Sequence, residues 1–345
     1  PNHFQARPAF FRHHSINRLK RFPYASIRFR CRDCEKTFSA SFFRLYYRHK
    51  VWGLDREIDR LDGHGVSKRA IARDIGHNER LVRGRLLKMA RWALLFHAKL
   101  TEELRIEEPI VYDGLENFSF SQYDPNNINH AVGKKSLFVY DFNFCPLNRK
   151  GRMSPFQVRK KAFLDKKFGP YPKDAIRTAS RRIFGRLLAR SQNLTLYSDR
   201  HFQYPRALAD LKAKLTHIKI SSKVHRNYQN PLFAVNNIDL MTRQNASPFK
   251  RETISFSKHS IAMQESFLLY AMRRNYRRPK FWGTHRSDPE CSKTSPAMEL
   301  GLTKKILSFD EFYKVKTPIT HVKLSEDWTN LYKRKDPLSR RPIAG

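Results

Sequence analysis

Three aspartates, far apart in the chain, carry the strongest chemical signal. Asp113 follows the apolar run of EEPIVYDG, directly after Val-Tyr, and Asp199 follows that of QNLTLYSD, one residue beyond Leu-Tyr. Acids at the ends of adjacent strands meet at one edge of a sheet, and their separation, 199 − 113 = 86, leaves room for intervening strands and a helix. Asp239 lies in NPLFAVNNIDLMTR, which begins as a helix able to pack against that edge. Two carboxylates about 4 Å apart repel by about 4 kcal/mol at an effective dielectric near 20. Without a cation one of them takes a proton. Carboxylate oxygens suit the hard ions Mg²⁺ or Mn²⁺. A pair of such ions activates a water or a 3′-hydroxyl and stabilises the leaving oxygen of an in-line phosphoryl transfer. The plainer role of an Asp after a strand is a turn or cap. Asp141, in SLFVYD, has the same context as Asp113, and Glu252 and Glu265 compete with Asp239 for third place.

The surroundings of these acids are strongly basic. The 345 residues hold 68 Lys and Arg against 31 Asp and Glu, a net charge of +37. Such a chain repels itself and calls for a polyanionic partner. The cations are spread along the whole length rather than gathered beside an amphipathic anchor, which favours nucleic acid over membrane. With 40% apolar and 13% aromatic residues, a sizeable core is expected rather than a disordered tail. No run of 18 apolar residues occurs, which excludes a transmembrane helix, and the opening PNHFQARPAF has no apolar signal region. Four cysteines (31, 34, 145 and 291) make no secreted disulfide framework, so a reducing compartment is expected. A first residue other than Met suggests a missing beginning.

Composition divides the chain into residues 1–50, 51–105, 106–275 and 276–345. The first part contains RFRCRDCEKTFSASFF (28–43), which reads as one knuckle of a zinc ribbon, with Cys31 and Cys34 facing a Zn²⁺ ion. Two thiolates are half a tetrahedral site. His3, His13, His14 and His49 are the other nearby donors, and the preferred reading places a partner knuckle in the missing N-terminus. The alternative is two reduced surface cysteines.

Residues 51–105 read as a helix-turn-helix DNA-binding unit. Ser67 caps a helix bearing Ala70, Ile71 and Ile75; Gly76 turns the chain; Leu81, Val82 and Leu86 continue on a helix carrying Arg80, Arg83, Arg85 and Lys88. With Ser67, Lys68 and Arg69 those four are the candidate DNA contacts, the second helix entering the major groove. A helical bundle with solvated basic faces is the competing reading. Residues 106–275 alternate strand-like runs with helices, among them the basic amphipathic 174–192, and read as a mixed α/β layered domain. Residues 276–345 read as a basic tail.

In this order, a CxxC knuckle, a helix-turn-helix and strand-borne acids, the chain resembles bacterial insertion-sequence transposases with a DDE-type catalytic domain. RFRCRDCEKTFS (28–39), GVSKRAIARDIG (65–76), LYSDRHFQYPRAL (196–208), NNIDLMTRQNASPFKRETISFSK (236–258) and SPAMELGLTKKILSFDEF (295–312) carry the similarity. The resemblance implies an RNase H-like mixed sheet flanked by helices, behind a zinc-ribbon remnant and a helix-turn-helix domain. It implies Asp113, Asp199 and Asp239 as catalytic acids holding Mg²⁺ or Mn²⁺, with Asp239 standing where the family usually has Glu. It further implies cleavage of DNA at element ends and attack of the freed 3′-hydroxyl on target DNA by a homo-oligomer in the bacterial cytoplasm, associated with the nucleoid. Arg200, His201 and Lys258 stand close enough in sequence to the acids to contact phosphates, and helix 174–190 suits backbone contacts. Two alternatives remain open: a non-catalytic sequence-specific DNA-binding protein, such as a regulator or an inactive or domesticated copy, and an RNase H-like nuclease that cuts without joining.

Overall fold

The computed structural model describes residues 11–20, 24–212, 215–250, 253–281, 292–314 and 316–335. His3, Glu252 and Cys291 lie outside them. Strands β1 (Phe11–Arg18), β2 (Ala25–Cys31) and β3 (Thr37–Ser39) form a small antiparallel sheet. Phe11, Phe29, Phe38 and Phe43 pack edge to face or tilted along it, which supplies the apolar contact so small a sheet needs. The Cys31–Lys36 turn closes through the Lys36 carbonyl, which accepts from the Cys31 N–H at 3.0 Å, with Glu35 in the left-handed region at φ +58°.

Helices α1 (Asp55–Gly63), α2 (Lys68–Asp74) and α3 (Glu79–Leu100) follow. Ser67 caps α2 as its sequence position predicts, its Oγ accepting from the Ala70 N–H at 3.3 Å. Asn78 does the same for α3, and Gly76 adopts the φ of +68° that the turn between α2 and α3 demands. Val82, Leu86, Met89, Ala90 and Ala93 recur at helical spacing and are buried.

A second sheet has the order β6-β5-β4-β7-β8. β4 (Ile110–Phe118), β5 (Pro125–Gly133) and β6 (Val139–Pro146) form an antiparallel meander. α4 (Pro155–Phe168) and α5 (Ala175–Leu188) lead to β7 (Thr195–Asp199), and α6 (Gln203–Ala209) leads to β8 (Thr216–Ile220). β7 and β8 run parallel to β4, so each needs a crossover helix. The mixed α/β reading is thus met by a five-stranded mixed sheet between helices. α5 and α6 cover one face, where the Tyr112 hydroxyl meets Ser180 Oγ at 2.8 Å and the Tyr112 ring meets Tyr204. α7 (Phe233–Asn245) and α8 (Ser260–Met272) cover the other, where Phe267 packs on His130 and Phe142.

Two local expectations change. β5 has no counterpart in the sequence reading, because PNNINHAVG is full of residues that strands disfavour. The run from Lys134 begins as a turn, with Leu137 at φ +59°, and becomes a strand only at Val139.

The described part of residues 276–345 packs into the core rather than standing apart as a tail. α9 (Pro296–Glu299), α10 (Phe309–Phe312) and α11 (Glu326–Lys333) bury Ala297, Phe312, Trp328 and Leu331. The Trp328 indole N–H donates to the Phe142 carbonyl at 3.0 Å. A short π-helix after α8 (Arg273–Arg277) ties α1 to this body. Arg273 meets Asp59 at 2.9 Å and Asp62 at 2.8 Å, and Arg277 meets Asp59 at 2.8 Å. At Gly65 (φ +73°) a Cβ would stand 2.6 Å from the Gln244 carbonyl of α7, so only glycine allows this approach. Among the described residues no helix is long and apolar enough to cross a membrane.

Candidate active site

The β4–β7 ladder pairs Ile110 with Leu196, Val111 with Tyr197 and Tyr112 with Ser198. Its next step sets Asp113 beside Asp199, so the 86-residue separation of the two acids equals the register offset of their strands, 196 − 110. In-register residues of parallel neighbours point to one face, about 4.8 Å apart. β7 ends there, while β4 continues against β5. In that antiparallel ladder Asp113 lies opposite His130, on the same face. α7 crosses this face and brings Asp239 Oδ1 to 3.2 Å from His130 Nε2.

The electrostatics follow from this convergence. Burial pushes the Asp113 carboxyl up to about 7, the charges of Asp239 and then Asp199 push in the same direction, and the Gly114 N–H, which donates to Asp113 Oδ1 at 2.7 Å, partly offsets them. Burial opposes a charge on His130, but Asp239 outweighs it and holds the imidazole above its ordinary value. His130 Nδ1 lies 3.1 Å from the Ile128 carbonyl and donates there, so Nε2 faces Asp239 with a proton only when the ring is the imidazolium. Asp199 Oδ1 accepts the His201 backbone N–H at 2.9 Å, which fixes its rotamer.

A cleft of about 820 Å³ opens beside Asp113 and Asp199. Arg149, Lys150 and Lys173 bring positive charge to its walls, Lys161 enters paired with Asp165 at 2.5 Å, Glu116 adds an acid, and Asn127 and Gln203 bring amides. An anionic chain entering it meets cations on the walls and two acids at the floor. The Asn127 Oδ1 is buried without a hydrogen-bond partner.

The donor chemistry of the Asp113–Asp199 pair fits a hard divalent ion, which is commonly held by one or two carboxylates together with substrate phosphates. A cage made wholly by the protein does not fit: among the described residues no group of three or more His, Cys, Asp or Glu side chains is gathered closely enough to hold a metal. The same holds for zinc. Cys31 and Cys34 face each other across the turn, the Cys34 backbone N–H leading the contacts that lower the Cys31 thiol, and His49 is engaged instead with Asp55 at 3.3 Å.

The rival acids are occupied. Asp141 forms a two-point contact with Arg186, at 2.6 and 3.1 Å, on the α5 side. Glu265 pairs with Arg334 at 3.0 Å. Glu252 lies outside the described residues.

Of the candidate DNA contacts, Arg80 and Arg83 project from α3 into solvent, and Arg69 is exposed beside Glu79 at 3.0 Å. Lys68 is half-buried, and Ser67 spends its hydroxyl on the cap. Arg85 and Lys88 correct the expectation. Arg85 is only 6% exposed, donating to the Val51 carbonyl and lying 3.3 Å from Asp55. Lys88 donates to the Tyr47 carbonyl at 2.6 Å, and burial lowers its amine to about 8. Both hold the segment before α1 rather than face a groove. Arg200 is exposed, His201 lines the cleft, and Lys258 covers the Phe256 ring at 3.7 Å.

His130 was not foreseen. Its signal would have been the strand β5 itself, which the asparagines conceal. No protein-family model matches the chain, and no curated protein matches it.

Proposed function

We propose that this chain is a DNA transposase that uses Asp113, Asp199 and Asp239 for metal-dependent cleavage and strand transfer at element ends. The observation that carries the reading is the register of β4 and β7, which sets two acids side by side on the face crossed by the helix of the third. The strand order β6-β5-β4-β7-β8 supports an RNase H-like core, and the α2–turn–α3 geometry supports a helix-turn-helix that presents Arg80 and Arg83 to duplex DNA. The charge of +37 supports a polyanionic substrate.

Asp113 and Asp199 would hold the divalent ion, Mg²⁺ or Mn²⁺. When bound, it supplies Lewis acidity to a water or 3′-hydroxyl and to the leaving oxygen. The chain's own groups orient the substrate. Arg149, Lys150 and Lys173 hold phosphates along the cleft, the His201 N–H fixes Asp199, and the Gly114 N–H fixes Asp113. His130 keeps Asp239 directed at the sheet.

The test uses the full chain and DNA carrying the sequences that flank its own coding region, with Mg²⁺ or Mn²⁺. Asp113→Ala and Asp199→Ala should each abolish cleavage and joining while leaving DNA binding nearly intact. Strand transfer surviving both changes would falsify the assignment, and cutting without joining would favour a nuclease. One observation favours a binding-only protein: His130 already occupies Asp239, at 3.2 Å. That reading gains if the wild-type chain binds its flanking DNA but never cuts it.

A further inference from the structure

Helix α4 stands out from the body. Leu164 is its only buried residue, yet both ends are well made: Ser154 and Gln157 form a capping box, Pro155 occupies the first turn, and Gly169 closes the helix at φ +78°. A helix of 14 residues is marginal alone, and these caps support it together with the Lys161–Asp165 pair at 2.5 Å. Its outer face carries Phe156, Lys160, Phe163 and Lys167 at i, i+4, i+7 and i+11, a single stripe. Phe156 is 65% and Phe163 59% exposed. Both rings stand in water on one face of a cationic helix, where they are open to a ligand. The helix also reaches the candidate active site, because its Lys161 lines the cleft that holds Asp113 and Asp199.

We propose that the outer face of α4 is a binding site for unpaired DNA strand, with Phe156 and Phe163 as base-stacking platforms and Lys160 and Lys167 as phosphate contacts. Alternating aromatic and cationic side chains match a single strand, whose bases offer π-faces and whose backbone offers charge. Seven residues of helix span about 10 Å, close to three steps of a stacked strand at about 3.4 Å each. Duplex DNA hides its base faces and would leave both rings unused. A strand end opened at the acids would leave the cleft along Lys161 and meet this stripe. The proposal rests on the transposase reading for the choice of polymer, but not on the acids themselves.

The experiment measures binding of the full chain to fluorescein-labelled oligo(dT) of about twenty nucleotides, longer than a typical single-strand site, and to a duplex of equal length. The Phe156→Ala, Phe163→Ala double variant should bind oligo(dT) at least about tenfold more weakly and duplex within about threefold of wild type. Phe156→Trp with Phe163→Trp should restore the affinity. Lys160→Ala with Lys167→Ala should flatten the salt dependence for oligo(dT) by about 1.4 in log–log slope. The same oligo(dT) affinity in the alanine variant, or an equal loss on duplex, overturns the proposal. So does wild-type binding to phosphatidylserine vesicles that the alanine variant loses while keeping oligo(dT), since that outcome assigns the stripe to a lipid surface. All these substitutions are on exposed positions, and a matched melting temperature checks the fold. A chain that never cleaves DNA but shows the ring-dependent binding sinks the catalytic reading alone. Active cleavage with ring-independent binding sinks this one alone.

Discussion

His130 and Asp239 face each other at 3.2 Å, one from the middle strand of the meander, the other from the helix laid across it. The imidazole is fully buried and the carboxylate is partly open, and the pair lies beside Asp113 without lining the cleft itself. When protonated, His130 supplies a positive charge where three carboxylates would otherwise repel one another.

Replacing His130 by Ala should therefore destabilise the metal-free protein by about 1–3 kcal/mol, less than for a wholly buried pair because Asp239 touches solvent. The folded imidazole titrates above its usual value, so the stabilisation is complete below a pH of about 6.5 and fades as pH rises through the folded value. Urea midpoints at several pH values check this. A wild-type advantage that grows with pH would contradict it.

Asp113 has the opposite consequence. Its carboxyl is raised to about 7 in the folded state, so the native chain binds more protons than the unfolded one between pH about 4 and 7, and stability falls with rising pH across that window. Asp113→Asn should flatten this fall and raise the melting temperature by a few degrees at pH 8 in chelator. An unchanged melting curve would mean that Asp113 is neither buried nor crowded by its neighbours.

Divalent ion should relieve the same strain. At about ten times its dissociation constant, Mg²⁺ or Mn²⁺ should stabilise the wild type by about 1.4 kcal/mol. Asp113→Asn or Asp199→Asn should lose most of that gain, and Asp141→Asn should keep its metal response because Asp141 faces Arg186 instead. Scanning fluorimetry with and without chelator gives the comparison.

The arginines of α3 should separate into two groups. Arg80→Ala and Arg83→Ala should weaken duplex binding and lower the salt slope by about 1 each. Arg85→Ala should instead lower stability by about 1–3 kcal/mol, because the Val51 carbonyl loses its side-chain donor and the half-buried Asp55 is left with His49 beside it. Binding isotherms at several salt concentrations, alongside urea melts, distinguish the two.

Much of the acidic site could be read from the chain because strand register is arithmetic. Two apolar runs with like endings became neighbouring parallel strands, and their acids fell into line. Asp239 is readable as part of a helix able to pack against their sheet edge, and its helix lies over the same face. β5 escaped notice because Asn126, Asn127, Asn129 and His130 are held in a strand by tertiary packing against local preference. Arg85 was misjudged although the clue was present: it lies three residues after Val82 and four before Met89, within the buried stripe of α3. A count of cations cannot say which of them face inward. The partners of Arg273 and Arg277 are more than 200 residues away and left no local trace.

The contact at Gly65 and the arginine pairs onto Asp59 and Asp62 leave no slack between α1 and the acid-bearing body. In the proposed function, a duplex gripped by Arg80 and Arg83 would be presented to Asp113 at one distance and one rotational phase. The spacing between recognised sequence and cut would then act as a molecular ruler, and inserting half a helical turn of DNA between them should silence cutting while a full turn restores part of it.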